Sequence, residues 1–334
     1  MFKSKIAVAI SGGVDSFYAL KTAVAHFQNI EAVYLNFLNI KENLQRAENV
    51  ALHFNVPFKI FDCTVEFKKR VINYFCDQYL LGKTPNPCIM CNKFFKFEYL
   101  LQMYDKVISG HYANIYKKDQ KIFIKKGLDL VKDQSYFLAR LDSNYLDRIY
   151  FPLGDKLKKD IKEEFLNEYK SFGSEEESQE ICFIPDNNYK RFLDEHSKVG
   201  VKKGPIKTTN GKTISQHSGF FNFTIGQRKG LNIAMGKPYY VVKIDPISNT
   251  VFVGPIEETF NNNFEIEDSL WYDDYKNYDE IKVKVRYRTT DKLCRVDGDK
   301  VSLIEQEQSI TPGQLAVFYH KNLVIGSGWI KNVN

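Results

Sequence analysis

The first apolar run of the chain, Ile6-Ala-Val-Ala-Ile10, is unbroken, stops at Ser11-Gly-Gly-Val-Asp-Ser16, and gives way to Ala19, Leu20, Ala23 and Val24 at helical spacing. That order predicts a buried strand, a turn without Cβ obstruction, and a helix. The same alternation continues to about residue 110, with strands expected at 5–10, 31–37, 57–61 and 106–109 and helices near 16–27, 41–54, 64–81 and 92–103. Strand and helix in turn imply a parallel sheet covered by helices, with ligands at the carboxyl ends of the strands. Ser11–Ser16, Leu35 and Gly110-His111 fall at such ends. Between 113 and 126, Ile115, Tyr116, Ile122, Phe123 and Ile124 flank a polar Lys-Lys-Asp-Gln turn, the mark of a hairpin. Helical spacing returns at 134–141, 155–170 and 188–196.

Beyond about residue 200 glycine and proline become more frequent and apolar residues alternate, as in Tyr239–Ile244 and Thr250–Val253. The segments 281–285, 300–304, 314–319 and 323–325 are strand-like and separated by short turns, which predicts a small all-β barrel. Asn261-Asn262-Asn263 is expected to be a linker, and the acidic run Glu175–Glu177 a solvated loop. The expected domains are 1–197, an α/β unit; 198–260, a small central α+β or β unit; and 261–334, an all-β barrel. No internal repeat is present.

Composition narrows the classes. With 334 residues the chain can bury more than one core. Its net charge of +6, from 47 basic and 41 acidic residues, suits a nucleic-acid partner without demanding one. The 26 Phe and 20 Tyr are expected mostly in cores. No apolar stretch is long enough for a membrane span, and Lys3–Ile10 is too short for a signal peptide, so a cytosolic location is expected. The six cysteines are then core residues, metal ligands or redox groups; Cys63, Cys76 and Cys294 lie in apolar patterns and read as packing.

Two segments carry chemistry. Backbone N–H groups in the Ser11–Ser16 turn and at the start of the following helix would form an anion site. The turn lacks the lysine of G-x-x-x-x-G-K-[ST] loops and offers an acid, Asp15, instead. A plain turn capped by Asp15 or Ser16 is the simpler alternative. In Thr84-Pro-Asn-Pro-Cys-Ile-Met-Cys-Asn-Lys93, two prolines stiffen the backbone around Asn86, whose amide matches the donor and acceptor edge of a uracil ring. Cys88 and Cys91 follow, with a helix expected to begin near Asn92. Its dipole and Lys93 should poise Cys91 as a thiolate. Cys182, between Ile181 and Phe183, reads either as a core thiol or as a distant partner of Cys91. Zinc would need two further ligands for which no motif exists, while an iron–sulfur site with a third cysteine stays open.

Ser-Gly-Gly-x-Asp-Ser resembles the signature of the ATP pyrophosphatase superfamily. The further order Thr-Pro-Asn-Pro-x-x-x-Cys-Asn-Lys, Ser-Gly-His-Tyr, Lys-Asp-Gln-Ser-Tyr-Phe-Leu, Ile-Cys-Phe-Ile, Thr-Ile-Gly-Gln-Arg-Lys-Gly-Leu, Arg-Tyr-Arg and Thr-Pro-Gly-Gln-x-Ala-Val-Phe-Tyr is similar, over nearly the whole chain, to the bacterial tRNA-specific 2-thiouridylase family. The resemblance implies an N-terminal α/β domain of adenine-nucleotide hydrolase type and replacement of the 2-oxygen of a wobble uridine by sulfur. It implies ATP contacts from Ala9, Ile10, Ser11, Gly12, Gly13, Val14, Asp15, Ser16, Leu35 and Gly110, with Asp15 placing Mg²⁺. It implies that Asn86, Pro87 and Cys88 face the target base and that Cys91 and Cys182 are the catalytic pair, ending as a disulfide. Contacts to tRNA are implied for His111, Lys132, Asp133, Gln134, Arg286, Tyr287 and Gln314. Simpler readings make Lys132–Gln134 a solvated turn before a helix, and Arg286 and Arg288 the exposed face of a strand.

Further partners implied are a persulfide-donating sulfur carrier or cysteine desulfurase, and no membrane. The chain departs from the commoner family pattern at Cys88, often Asp, and at Gln179-Glu180, often Thr-Gly. An ATP-dependent amide ligase or synthetase of the same superfamily, acting on a small molecule, would use the same loop but not Asn86, Cys91 and Cys182. An RNA-binding protein with a relic loop would release no AMP.

Overall fold

The computed structural model describes residues 4–169, 181–196, 202–231, 233 and 236–333. The acidic run 175–177, the departure at 179–180 and the boundary expected at 197 lie outside the described residues.

Strands β1 (Ile6–Ala9), β2 (Ile30–Asn36), β3 (Phe58–Asp62), β4 (Lys106–Ser109) and β7 (Ile149–Tyr150) form a parallel sheet in the order β3-β2-β1-β4-β7. Side chains alternate across it. Ala7, Val33, Leu35 and Val107 enter one core, and Ile6, Val8, Ile10, Ala32, Tyr34 and Ile108 enter the other. Both faces are buried, which is why the β1 run is apolar without interruption. On the second face Phe17, from helix Val14–His26, packs 5.0 Å from Phe54, 5.3 Å from Phe165 and 4.6 Å from Tyr169. A buried ring such as Phe17 or Phe165 contributes about 1.5–3 kcal/mol.

The chain moves outward from β1 through β2 to β3, then returns to the other side of β1 as β4. That reversal opens a crevice between the carboxyl ends of β1 and β4, the place where sheets of this kind bind ligands.

Two further units follow. Strands β8 (Gly204–Thr208), β9 (Thr213–His217), β10 (Tyr240–Asp245) and β11 (Thr250–Gly254) make a four-stranded sheet around Ile206, Val241, Val251 and Val253. Strands β12 (Phe260–Trp271), β13 (Ile281–Lys284), β14 (Lys292–Asp297), β15 (Lys300–Gln308), β16 (Leu315–His320) and β17 (Leu323–Val333) close into a six-stranded barrel through the β12–β17 pairing. The expected linker 261–263 is instead strand: Asn261 pairs with Glu307 and Asn263 with Ser302 across a bulge. Polar residues there face solvent on a barrel strand, so their polarity marked an exposed edge and not a connection.

The hairpin β5 (Ala113–Lys118) and β6 (Lys121–Lys126) leaves the first unit and adds to the barrel, Leu323 opposite Lys125 and Val324 opposite Ile124. Its turn uses Asp119 and Gln120 at positive φ, the conformation that tight hairpins require. Around it Tyr136 OH donates to Leu315 O (2.8 Å), Ser327 Oγ to Ala139 O (2.8 Å) and Tyr272 OH to Leu141 O (2.7 Å). Leu315, Val317, Tyr319 and Val324 share a core with Phe123 and Tyr136, so the α/β unit and the barrel pack as one body.

Candidate active site

The turn after β1 is held open toward solvent. Ser16 Oγ accepts from Ser11 N (3.1 Å) and donates to Gly13 O (2.8 Å), which ties the two ends of the loop together. Gly12 has φ +82°, and a Cβ there would lie 2.7 Å from Arg46 Cβ and 2.9 Å from Ala47 N. A Cβ on Gly110, just past β4, would lie 2.5 Å from Asp15 O. Only glycine fits either place. The helix starts at Val14 with no side-chain cap, so its first amides are left for an anion, as a phosphate group requires. These features fit the triphosphate of ATP.

Asp15 Oδ1 accepts from Lys158 Nζ (2.6 Å) and from Tyr112 OH (2.8 Å). With phosphate oxygens, the Asp15 carboxylate would offer the hard donor set that Mg²⁺ takes. Tyr112 is fixed in turn by Gln134, whose Oε1 accepts from Tyr112 N (2.9 Å) and whose N donates to Tyr112 O (2.8 Å). Lys158 opens helix Lys158–Glu168 and lines a cleft of about 450 Å³ with Lys132, Lys159, Lys162, Asp129, Val131 and Leu157. Sequence reasoning missed Lys158 and Tyr112. Lys158 is one lysine among several in its segment, and only the fold sets it against Asp15.

Cys91 lies near Cys63, which directly follows the carboxyl end of β3. Helix Pro87–Cys91 continues without a break into Asn92–Tyr99, so the helix begins at Pro87 and not near Asn92. Proline at the first helical position and Asn86 in extended conformation (φ −115°, ψ 94°) set that start. The Asn86 side chain does not cap the helix, which leaves its amide uncommitted to it. Cys91 is therefore a turn inside the helix, half-buried, and burial pushes its thiol up to about 12, against the opposing charge of Lys96. The expected thiolate at rest is thus overturned: desolvation outweighs the helix start, which lies too far away. Lys93 does not assist, being directed toward Glu98 (4.0 Å) and the Phe94 ring.

Cys182 comes to the same place. The residue is solvent-exposed, yet enough protein surrounds its sulfur for desolvation to raise the thiol, with Lys96 and the Cys182 and Phe183 backbone opposing. Cys88 and Cys91 each feel the charge of Cys182, and Cys91 also feels Cys63, which directly follows β3. Phe183 anchors the segment by packing 6.0 Å from Phe67 and 5.4 Å from Phe75, inside the core that Cys91 borders. Among the described residues no group of three or more His, Cys, Asp or Glu side chains is arranged to hold a metal. Cys63, Cys76 and Cys294 are buried as packing residues.

The remaining site candidates are mostly internal. His111 is buried between the Phe97 and Phe151 rings, 5.9 Å from each, with Ser109 Oγ 2.9 Å from Nδ1; burial and then Lys96 hold it well below its usual range, hence neutral. Asp133 is buried and accepts from Gly127 N (3.0 Å), Ser135 N (3.1 Å) and Ser135 Oγ (2.8 Å). Arg286 donates to Ile225 O (3.2 Å) and to Thr311 Oγ1, and Tyr287 stacks 4.4 Å from Phe137. Gln314 is buried and donates to Thr84 O (2.7 Å), while Thr84 N donates to Pro312 O (2.8 Å). The barrel thereby pins the base of the Thr84–Cys91 loop. Lys132 stands at the cleft, half-buried.

The parallel sheet, its open glycine loop and the cysteines near Lys96 fit an ATP-dependent sulfur-transfer enzyme of α/β type. Models of the tRNA methyl transferase HUP domain, the tRNA methyl transferase PRC-barrel domain and the aminomethyltransferase beta-barrel domain match residues 4–186, 190–255 and 261–330. The chain is 38% identical over 342 residues to the tRNA-specific 2-thiouridylase MnmA of Nitratiruptor sp., covering 98% of this chain and 99% of that one. It is 35% identical over 358 residues to the enzyme of that name from Carboxydothermus hydrogenoformans, covering 98% of each. The chain belongs to the tRNA-specific 2-thiouridylase family.

Proposed function

We propose that this enzyme thiolates tRNA at C2 of the wobble uridine, spending ATP to make the 2-oxygen a leaving group and delivering sulfur from a persulfide on Cys182. One observation supports the reading: Lys96 acts on Cys91 and Cys182 and also on His111, the residue after Gly110, whose missing Cβ lets it approach the backbone of Asp15.

A uridine C2 carbonyl is a weak electrophile because its oxygen does not leave. Transfer of AMP from ATP to that oxygen, with release of pyrophosphate, solves that, and the flipped base then sits between the two chemistries. The Ser11–Ser16 amides hold the phosphates, and Lys158 beside Asp15 adds a cation where negative charge develops on pyrophosphate. Mg²⁺ on Asp15 would neutralise the same charge. Asn86 and Pro87 face the base, with Cys88 beside them. The Cys182 thiol, exposed to solvent, is the one an external persulfide donor reaches, whether a sulfur carrier or a cysteine desulfurase. Cys91 then attacks the Cys182 sulfur, the persulfide bond breaks, sulfur passes to C2 as AMP leaves, and a Cys91–Cys182 disulfide remains.

The lysines of the cleft and the Lys132–Gln134 segment suit tRNA phosphates, and Gln134 would report their binding to Asp15 through Tyr112. His111, Arg286, Tyr287 and Gln314, internal here, would act by holding the loops that tRNA meets. Free thiols and the absence, among the described residues, of any helix long and apolar enough to cross a membrane suit the cytoplasm. Cys182→Ser should abolish thiolation while leaving ATP–pyrophosphate exchange intact. Full thiolation by that variant refutes the scheme.

A further inference from the structure

Asp129 has no part in the scheme above, yet among the described residues lining the lysine cleft it is the one carboxylate. In a cleft that takes phosphates a negative charge lowers affinity, so a carboxylate kept there needs another use. Its hydrogen bonds show one. Oδ1 accepts from Val131 N (3.1 Å) and Lys132 N (3.3 Å), and Oδ2 accepts from Lys158 N (3.0 Å). One side chain thus folds the tip of its own loop and fastens that tip to the first residue of helix Lys158–Glu168, where the preceding Leu157 supplies no side-chain cap.

The loop is pinned on both sides of that tip. Asp133 accepts from Gly127 N and Ser135 N, and Leu128 N donates to Gly154 O (2.7 Å). At the far end Gln134 holds the Tyr112 backbone through both its N and its O. Tyr112 OH and Lys158 Nζ then donate to the same oxygen, Asp15 Oδ1 (2.8 and 2.6 Å). Both donors on the nucleotide-site carboxylate are therefore held by one short loop, Tyr112 through Gln134 and Lys158 through Asp129.

We propose that Asp129 is a positioning residue for ATP activation, setting the start of helix Lys158–Glu168 so that Lys158 stands on Asp15 where pyrophosphate departs. This rests on the ATP-activating reading of the same site. Asp129 acts through Lys158 and not on a phosphate. A lysine side chain has many rotamers, and an anchored backbone removes part of the freedom that would otherwise be lost on reaching the transition state. The same carboxylate fixes the backbone of Lys132, so the lysine that faces tRNA in that reading and the lysine on Asp15 are placed by one group. Its cost to phosphate affinity is limited, because both oxygens are turned onto backbone N–H groups.

The test is tRNA-dependent ATP–pyrophosphate exchange by the full-length enzyme, comparing wild type, Asp129→Ala, Asp129→Asn, Lys158→Met and the Asp129→Ala, Lys158→Met double variant, with kcat and KM for tRNA measured separately. Asp129→Ala should lower kcat about tenfold alone but less than about twofold on top of Lys158→Met, because the group it acts through is already gone. Asp129→Asn keeps one acceptor oxygen, loses the other and removes the negative charge, so kcat should fall while KM for tRNA holds level or drops. Should Asp129→Ala not fold, that split in Asp129→Asn decides by itself. A kcat loss that multiplies in full on Lys158→Met, or a KM for tRNA that rises with kcat unchanged, overturns the positioning role alone. Wild-type enzyme without tRNA-dependent exchange overturns the ATP-activating reading, and the role of Asp129 with it.

Discussion

Raising the pH over a resting sample of this enzyme should expose its thiols in a fixed order. Burial lifts Cys91 to about 12 from an ordinary value of 9.0. At pH 8 a free thiol with that ordinary value is about 10% thiolate, whereas one at 12 is about 0.01%, so Cys91 should react with iodoacetamide about a thousandfold more slowly. The difference amounts to about 4 kcal/mol against the charged form. Cys88, at about 11, should be slowed about a hundredfold. Cys182 is exposed and should be modified first. The assay is mass spectrometry of alkylated peptides from pH 7 to 10.5, where the Cys91 rate should keep rising tenfold per pH unit without levelling. Lys96→Met should slow all three thiols together, since each loses its shared opposing cation. Cys91 alkylated at pH 8 as fast as a denatured control, or a rate that levels near pH 9, refutes the reasoning.

Other consequences are structural. Gly110→Ala would drive a methyl group to 2.5 Å from Asp15 O, so ATP affinity should fall at least tenfold by calorimetry while the melting temperature drops only modestly; unchanged affinity would detach Gly110 from the nucleotide site. Lys158→Met removes the cation on Asp15 and should reduce ATP–pyrophosphate exchange about a hundredfold, with wild-type exchange counting against its role. Gln314→Ala deletes the bond to Thr84 O, and should cost about 1 kcal/mol in denaturant unfolding. The same variant should raise KM for tRNA more than KM for ATP, whereas equal effects would mean that the barrel does not position the loop.

Much of the fold was legible because both strand faces are buried in the first sheet. Unbroken runs such as Ile6–Ile10 leave little choice of element, and β4 was located to the residue. The join between units was not legible. Hairpin 113–126 reads correctly as a hairpin, but nothing in its sequence says that it extends the barrel, because Leu323 and Lys125 meet only through tertiary packing. Asn261–Asn263 misled for a related reason: an exposed barrel strand with a bulge has the composition of a linker.

At the site, glycine spacing and cysteine motifs pointed to the Ser11–Ser16 loop and to Cys88, Cys91 and Cys182. The environment of those thiols was beyond reach. Placing the helix start at Asn92 gave Cys91 a dipole that it does not have, and the desolvation that dominates depends on residues far away in sequence, Phe183 and Cys63 among them. Lys158 was invisible for the same reason, lying 143 positions from Asp15.

The most direct test is to incubate the purified enzyme with an unmodified tRNA transcript, ATP, Mg²⁺ and a persulfide donor, and to count AMP released against 2-thiouridine formed by nucleoside mass spectrometry. One AMP per 2-thiouridine is expected, with neither product when tRNA is omitted. AMP release that is indifferent to tRNA, or that proceeds without any 2-thiouridine, would contradict a shared site for activation and sulfur transfer.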